Sequence, residues 1–343
     1  MKGGMKLGLV GLAGSGKTTY LVLLNGMFAD MSKILVKEPT DVREIERLIL
    51  DFEISDVEFV GKFSVREILK YIQDYWMKGM PLDKTPSTGD LRRYRMWVKV
   101  PIFRKKNSYK KVLLDIPDPS GETLKLLSDI FRKIEKTDPR EIFDPNRIRK
   151  YVLYELEGLG RSDPDAKWAK QVYDLIKPTD YDGFLIFIDP DRAKTFEAQS
   201  YLYPLLYILL GAQRKTITVS VIFSKSLARE VADTIILDDL KTKKYEEYVY
   251  DRAFEYFKRH YGLIYGLFKK LVCEEGKARF AGAFFYDAFI GADGDIPKPK
   301  FDRFGVPYLE SFSPLLPLIH TIHVHYKLES PLPYKGLKDK LCR

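Results

Sequence analysis

The feature that most restricts this chain is Gly11-Leu12-Ala13-Gly14-Ser15-Gly16-Lys17-Thr18. It satisfies G-x-x-x-x-G-K-[ST], the phosphate-binding P-loop. Leu7, Leu9 and Val10 just before it form a strand-length apolar run, and Thr18 to Met27 has the composition of a helix start. The motif carries meaning only between a strand and a helix, and that is where it lies. At ordinary composition, chance produces the pattern in roughly one chain in a hundred of this length. The chemistry is direct. Glycines let the backbone curl so that successive N–H groups face an anion. The helix that follows adds its positive N-terminal end. Gly11, Ala13, Gly14, Ser15, Gly16, Lys17, Thr18 and Thr19 are the expected phosphate-binding set. Lys17 would bridge the β- and γ-phosphates, and the Thr18 hydroxyl would hold Mg²⁺.

A strand feeding such a loop belongs to an α/β fold. The expected architecture is a P-loop NTPase of one domain over residues 1–343: a mostly parallel sheet with helices on both faces and one antiparallel edge hairpin strand. Gly183–Ile188 is a continuous apolar run ending in Asp189, and Thr216 to Phe223 is another, as expected for parallel strands buried on both faces. Ala281 to Tyr286 is a further short strand. Phe196 to Leu210 reads as an apolar helix ended by Gly211. Residues 227–273 read as long and helical, interrupted near Gly262 and Gly266. Helical spacing recurs in residues 42–49 and 65–76 and, with Asp-Pro breaks, in 123–180. Helical insertions are therefore expected at about 28–80 and 123–180. A helical C-terminal extension is expected at about 297–343, with a helix over Tyr308–His323.

Between the insertions, Tyr94, Met96, Val98, Val100 and Ile102 alternate with Arg93, Arg95, Trp97, Lys99 and Pro101. Period two predicts a strand with one buried face, and Pro101 places it at a sheet edge. Lys111 to Ile116 returns as the second arm of a hairpin. Its many cations (Arg92, Arg93, Arg95, Lys99, Arg104, Lys105, Lys106, Lys110, Lys111) fit either an acidic partner, nucleic acid or membrane, or a solvated edge whose charges deter strand-to-strand aggregation. The returning strand runs into Asp115-Ile116-Pro117-Asp118-Pro119-Ser120-Gly121-Glu122. An acidic residue at a strand end beside a P-loop is where a Mg²⁺-holding carboxylate sits, so Asp115 and Asp118 are both candidates.

The net charge of +9 over 343 residues favours acidic partners, of which nucleotide phosphates are the simplest. Asn and Gln are scarce beside Lys, Arg and Glu, a bias that suits a hot environment. Two cysteines, Cys273 and Cys342, are too few for a disulfide framework or a Cys-based zinc site and fit a reducing cytoplasm. The first apolar run is too short for a signal peptide, and no apolar stretch reaches ~20 residues, so neither a leader nor a membrane span is expected. His320, His323 and His325 cluster in sequence without Cys, Asp or Glu at ligand spacing, which argues against a metal site.

The order of P-loop, threonine-bearing polar loop, hairpin and Asp-x-x-Gly resembles the Ras-like, translation-factor-related (TRAFAC-class) P-loop GTPases. It also resembles their bacterial and archaeal double-GTPase-type members. There a helix runs into Gly-x-Pro-x-x-x-Thr (here Gly79 to Thr85), an apolar strand ends in Asp-Pro (Asp189-Pro190), and a Gly-Val-x-x-Pro-like tail follows (Gly305-Val306-Pro307). The resemblance implies that Thr85, or failing that Thr88, senses Mg²⁺ and γ-phosphate. Asp118 would hold Mg²⁺ through water, and the Gly121 N–H would touch the γ-phosphate. The chain departs from that pattern in three places. Glu122 stands where the water-positioning glutamine belongs, so turnover should be slow. Ser224-Lys225-Ser226-Leu227 replaces the base-reading Asn-Lys-x-Asp, keeping the stacking Lys225 but not the aspartate that accepts from guanine. Asp287-Ala288 replaces the terminal Ser-Ala, which leaves Asp287 as a substitute base reader. Three functions follow as expectations. The first is a Mg²⁺-dependent GTP-binding switch or slow GTPase, with GTP or GDP as ligand (ATP not excluded) and a protein effector or regulator. The second is a nucleotide-binding scaffold with little hydrolysis. The third is an ATPase or nucleotide-type kinase with residues 123–180 as a lid.

Overall fold

The computed structural model describes residues 5–12, 14–17, 19–20, 54–58, 92–101, 109–118, 129, 154, 181–190, 196–211, 213, 215–224, 252–286, 300–301, 307–308, 315–328 and 337–343. Nearly all of the two expected insertions and much of the C-terminal extension lie outside that set.

Four strands make the central sheet: β1 (Leu7–Val10), β5 (Gly183–Ile188), β6 (Ile217–Ser224) and β7 (Ala278–Tyr286), in the order β1-β5-β6-β7. Every pairing in it is parallel. All residues of β1, β5 and β6 are buried, which is why these strands read as unbroken apolar runs rather than alternating ones. This is the expected α/β class. A second sheet is antiparallel and joins β2 (Ile54–Glu58), β3 (Arg92–Pro101) and β4 (Tyr109–Asp118) in that order. The hairpin is thus present, but its first arm is the middle strand of three. Among the described residues β2 pairs with β3 between Arg95 and Val98, and the residues before β2 that bear on the edge position of Pro101 lie outside the described set. β4 packs beside β1, so β1 has the antiparallel sheet on one side and β5 on the other.

The helices are α1 (Phe196–Gly211), α2 (Ala253–His260), α3 (Gly262–Lys269), α4 (Leu315–Tyr326) and α5 (Leu337–Cys342), with a π-helical turn at Lys270–Glu274. The break anticipated within 227–273 falls at Tyr261, which caps α2 and opens α3. An aromatic cluster joins α2 and α3 to the sheet, and leucines of α1 (Leu202, Leu205, Leu206) pack into the same core. Phe223 stacks on Tyr261 and meets Tyr256 edge-on, while Phe257 stacks on Phe280. α4 packs across β5, β6 and β7. On it, Thr321 donates to the Pro317 carbonyl at 2.6 Å and receives the Ser220 hydroxyl at 2.7 Å, so that this buried polar pair is satisfied.

The three clustered histidines serve packing and pairing. His320 and His323 are fully buried on α4, and His320 meets Phe284 edge-on. His325 lies 3.7 Å from Asp182, which also accepts from Lys215 Nζ (2.7 Å) and from the Lys6 N–H (2.6 Å). Arg279 donates to the His325 carbonyl at 3.1 Å. This knot ties the starts of β1, β5, β6 and β7 to the end of α4.

The structure adds one covalent link that the sequence reading did not include. Cys273 and Cys342 are joined in a disulfide between the π-helical turn and α5, with Cα atoms 5.7 Å apart. A count of two cysteines excludes a framework of bridges, but not one bridge between residues 69 apart that packing brings together. No described helix is long and apolar enough to cross a membrane.

Candidate functional site

The loop after β1 is built as its sequence requires. Gly14 and Gly16 have φ of 74° and 81°, a left-handed conformation that side-chain-bearing residues rarely adopt. Gly11 is fixed by space. A Cβ there would lie 2.5 Å from the Phe187 carbonyl oxygen and 2.5 Å from Ser15 Oγ. The Ser15 N–H bonds back to the Leu12 carbonyl at 3.2 Å and closes the turn. Lys17, Thr19 and Tyr20 are helical, and the Tyr20 N–H bonds to the Gly16 carbonyl at 2.9 Å. Tyr20 is fully buried against Phe187 and pins that first helical turn to β5, while burial pushes its phenol pKa up.

Lys17 is nearly buried, and its ammonium is held inside the loop. Nζ donates to the Gly11 carbonyl at 2.8 Å and the Leu12 carbonyl at 3.2 Å, and reaches Ser15 Oγ at 3.5 Å. These bonds stretch a flexible side chain along the loop, so little rotamer freedom remains to be lost when an anion arrives. The loop rests on the carboxyl ends of β5 and β6. Ser224 Oγ donates to the Ile188 carbonyl at 3.3 Å, and a Cβ on Gly16 would come 3.3 Å from Ser224 Cβ. Asp189, next after β5, is buried. The chain leaves β1 for the antiparallel sheet on one side and later returns to β5 on the other. The carboxyl end of β1 is therefore the switch point at which open α/β sheets bind ligands.

Of the expected phosphate set, Gly11, Gly14, Ser15, Gly16, Lys17 and Thr19 are placed together in this one turn. Ala13 and Thr18 lie outside the described residues. So do Thr85, Gly121, Glu122, Lys225 and Asp287. Asp115 and Asp118 are placed in backbone only. Asp118 is the last residue of β4 and registers with Arg92; Asp115 lies three residues inside the strand and registers with Arg95, which on its other side registers with Glu58. Of the two, Asp118 has the strand-end position that a metal-holding carboxylate requires. Threonine and aspartate oxygens suit a hard cation such as Mg²⁺, so Thr18 and Asp118 are the residues that would hold it. Sequence reading missed Ser224 as a contact of the loop. Its one signal is position, as the residue ending a buried strand just before Lys225.

No protein-family model and no curated protein sequence matches this chain. Among solved structures, a chain of the signal recognition particle receptor SRb-GTP/SRX complex from Chaetomium thermophilum is similar over 86% of this chain and 95% of its own. The identity is 14% and the TM-score 0.36. At that score the likeness is too slight to inform an assignment of function, which rests on the loop geometry.

Proposed function

We propose that this protein is a Mg²⁺-dependent nucleoside triphosphate-binding switch, with GTP the favoured nucleotide and slow hydrolysis of the β–γ phosphoanhydride. The observation that carries the reading is the loop itself: left-handed Gly14 and Gly16, a tightly seated Gly11, and Lys17 Nζ drawn into the turn at the switch point of the sheet. Bound Mg²⁺ would supply positive charge between the phosphate oxygens. Lys17 would orient the phosphates, and the segment around Thr85 and Asp118–Glu122 would order around the γ-phosphate. Such ordering is how a switch presents itself to a protein effector or regulator.

Calorimetry on metal-free protein tests this. GTP with Mg²⁺ is expected to bind more tightly than ATP, and equal affinities would remove the guanine part of the proposal. Lys17→Ala removes charge-assisted bonds of about 1.5–3 kcal/mol. It is therefore expected to weaken triphosphate binding roughly ten- to hundredfold.

A second reading has its own support. Glu122 in the glutamine position, and Ser224-Lys225-Ser226-Leu227 in the base-reading position, fit a scaffold that binds nucleotide with little hydrolysis. Single-turnover hydrolysis that disappears in both Lys17→Ala and Asp118→Ala would exclude it.

A further inference from the structure

The chain's only cysteines, Cys273 and Cys342, form one bridge, and its two ends are anchored very unequally. Cys273 belongs to the π-helical turn, which is fixed to the body of the protein. There the Glu275 N–H bonds to the Lys270 carbonyl at 3.0 Å and the Lys277 N–H to the Leu271 carbonyl at 2.9 Å. Phe268, Leu271 and Val272 around it are buried in the core. π-turns within helices recur at functional sites. Cys342 belongs to α5, whose six residues would not persist as a helix on their own.

Both cysteines are partly exposed, although Val272 beside the one and Leu341 beside the other are buried. The bridge therefore lies at the rim of the core, where an external thiolate can approach. Exposed bridges are the exchangeable ones, whereas bridges sealed in a core act as permanent links. With the bridge open, the contacts that keep α5 against β7 and the π-helical turn include the Leu341 side chain and the 3.3 Å bond from Tyr265 Oη to the Leu341 carbonyl. A buried leucine and one hydrogen bond fall short of the entropy lost in ordering six residues.

We infer that Cys273–Cys342 is a site of reversible thiol–disulfide exchange with a dithiol reductant, and that its opening releases α5 and uncovers the seat of Leu341 beside Tyr265. A thiolate of the dithiol attacks one bridging sulfur. A mixed disulfide forms as the Cys273–Cys342 bond breaks, and the other cysteine leaves as a thiolate that takes up a proton. The second thiol of the dithiol loses its proton, attacks the mixed disulfide and frees the remaining cysteine. The dithiol ends as a disulfide, and the chain has gained two electrons and two protons. With no third cysteine in the chain, the bridge cannot shuffle to another partner within it, so the exchange has two end states. This assignment is independent of the nucleotide reading, since the P-loop rests on β5 and β6 and α5 on β7.

The test uses the native full-length protein in mixtures of reduced and oxidised dithiothreitol without denaturant. Free thiols are counted by the mass that a maleimide adds. Both thiols are expected to appear together over minutes to hours and to vanish when oxidised dithiothreitol is restored. Carboxypeptidase reads the release of α5: it should remove Arg343, Cys342 and Leu341 roughly tenfold faster from the reduced form. Cys342→Ser should be trimmed at the faster rate with or without dithiothreitol. A bridge that resists excess dithiothreitol until denaturant is added overturns the proposal. So does a bridge that opens without faster trimming. Loss of amide protection throughout β5 and β6 on reduction would overturn it too, because that is unfolding of the whole core rather than release of one helix.

Discussion

Gly11 is the residue at which geometry leaves least room. Of the two atoms that would lie 2.5 Å from a Cβ there, one is a backbone carbonyl of β5, which cannot rotate away. Gly11→Ala is therefore expected to shift the loop off the sheet, costing about 1–3 kcal/mol by overpacking. Chemical denaturation reads the stability loss, and phosphate or nucleotide titration reads the parallel loss of affinity. A second residue-scale expectation concerns acid. Burial lowers the His320 pKa from 6.5 to about 3, with neighbouring His323 acting in the same direction. His325 is also lowered, by burial first and then by Arg279 and Lys215, against the opposing pull of Asp182. A histidine whose folded pKa lies below its unfolded one favours the folded state fully above pH 6.5, and that contribution is lost as pH falls toward 3. For His320 the slope approaches ~1.4 kcal/mol per pH unit. Unfolding free energies between pH 7 and pH 4.5 should fall accordingly, and His320→Phe should flatten the curve. An unchanged slope in that variant would place the acid sensitivity elsewhere. The sequence displayed these histidines but not their burial, because only packing of α4 against the sheet makes His320 and His323 core residues.

Among the elements, the helix at the C-terminal end, α5, depends most on its covalent tie. Six residues are too few to be stable as an isolated helix. It is held by fully buried Leu341, by Tyr265 Oη donating to the Leu341 carbonyl at 3.3 Å, and by the Cys273–Cys342 bridge. Closing a loop of that length restricts the unfolded chain by about 4 kcal/mol on the entropic account. Reduction with dithiothreitol, or Cys342→Ser, is expected to lower the melting temperature and speed amide exchange in α5 while β5 and β6 stay protected. Equal melting of the oxidised and reduced forms would rule this out. The parallel strands and α1 were legible in sequence, because burial on both faces demands continuous apolar residues. β2 was not. Ile-Ser-Asp-Val-Glu is short and polar, and it is a strand only because β3 offers it a partner some forty residues later. The bridge was hidden for the same reason: proximity of Cys273 and Cys342 belongs to the tertiary fold. Of the site, the loop was readable from its glycines and lysine, whereas Ser224 beneath Gly16 was not, since its role is one of distance.

At the scale of the whole molecule, the parallel sheet is assembled from distant parts. Leu7 registers with Gly183 and Val10 with Ile186, and Lys6 bonds to Asp182 across 176 residues. β1 and the loop it carries therefore lack their central partner in any fragment that stops before β5. A fragment ending at residue 180 is expected to show neither cooperative unfolding nor nucleotide binding, although it contains the entire P-loop motif. Cooperative melting of that fragment would refute this view of the core.

The same wiring bears on how the protein is made. A ribosome adding about 5–20 residues per second delivers β1 roughly ten to thirty seconds before the strand it must lie against. For that interval an apolar segment built for complete burial has no native neighbour from the central sheet. Cells producing this protein have reason to keep its nascent N-terminal end in the care of a chaperone until β5 emerges.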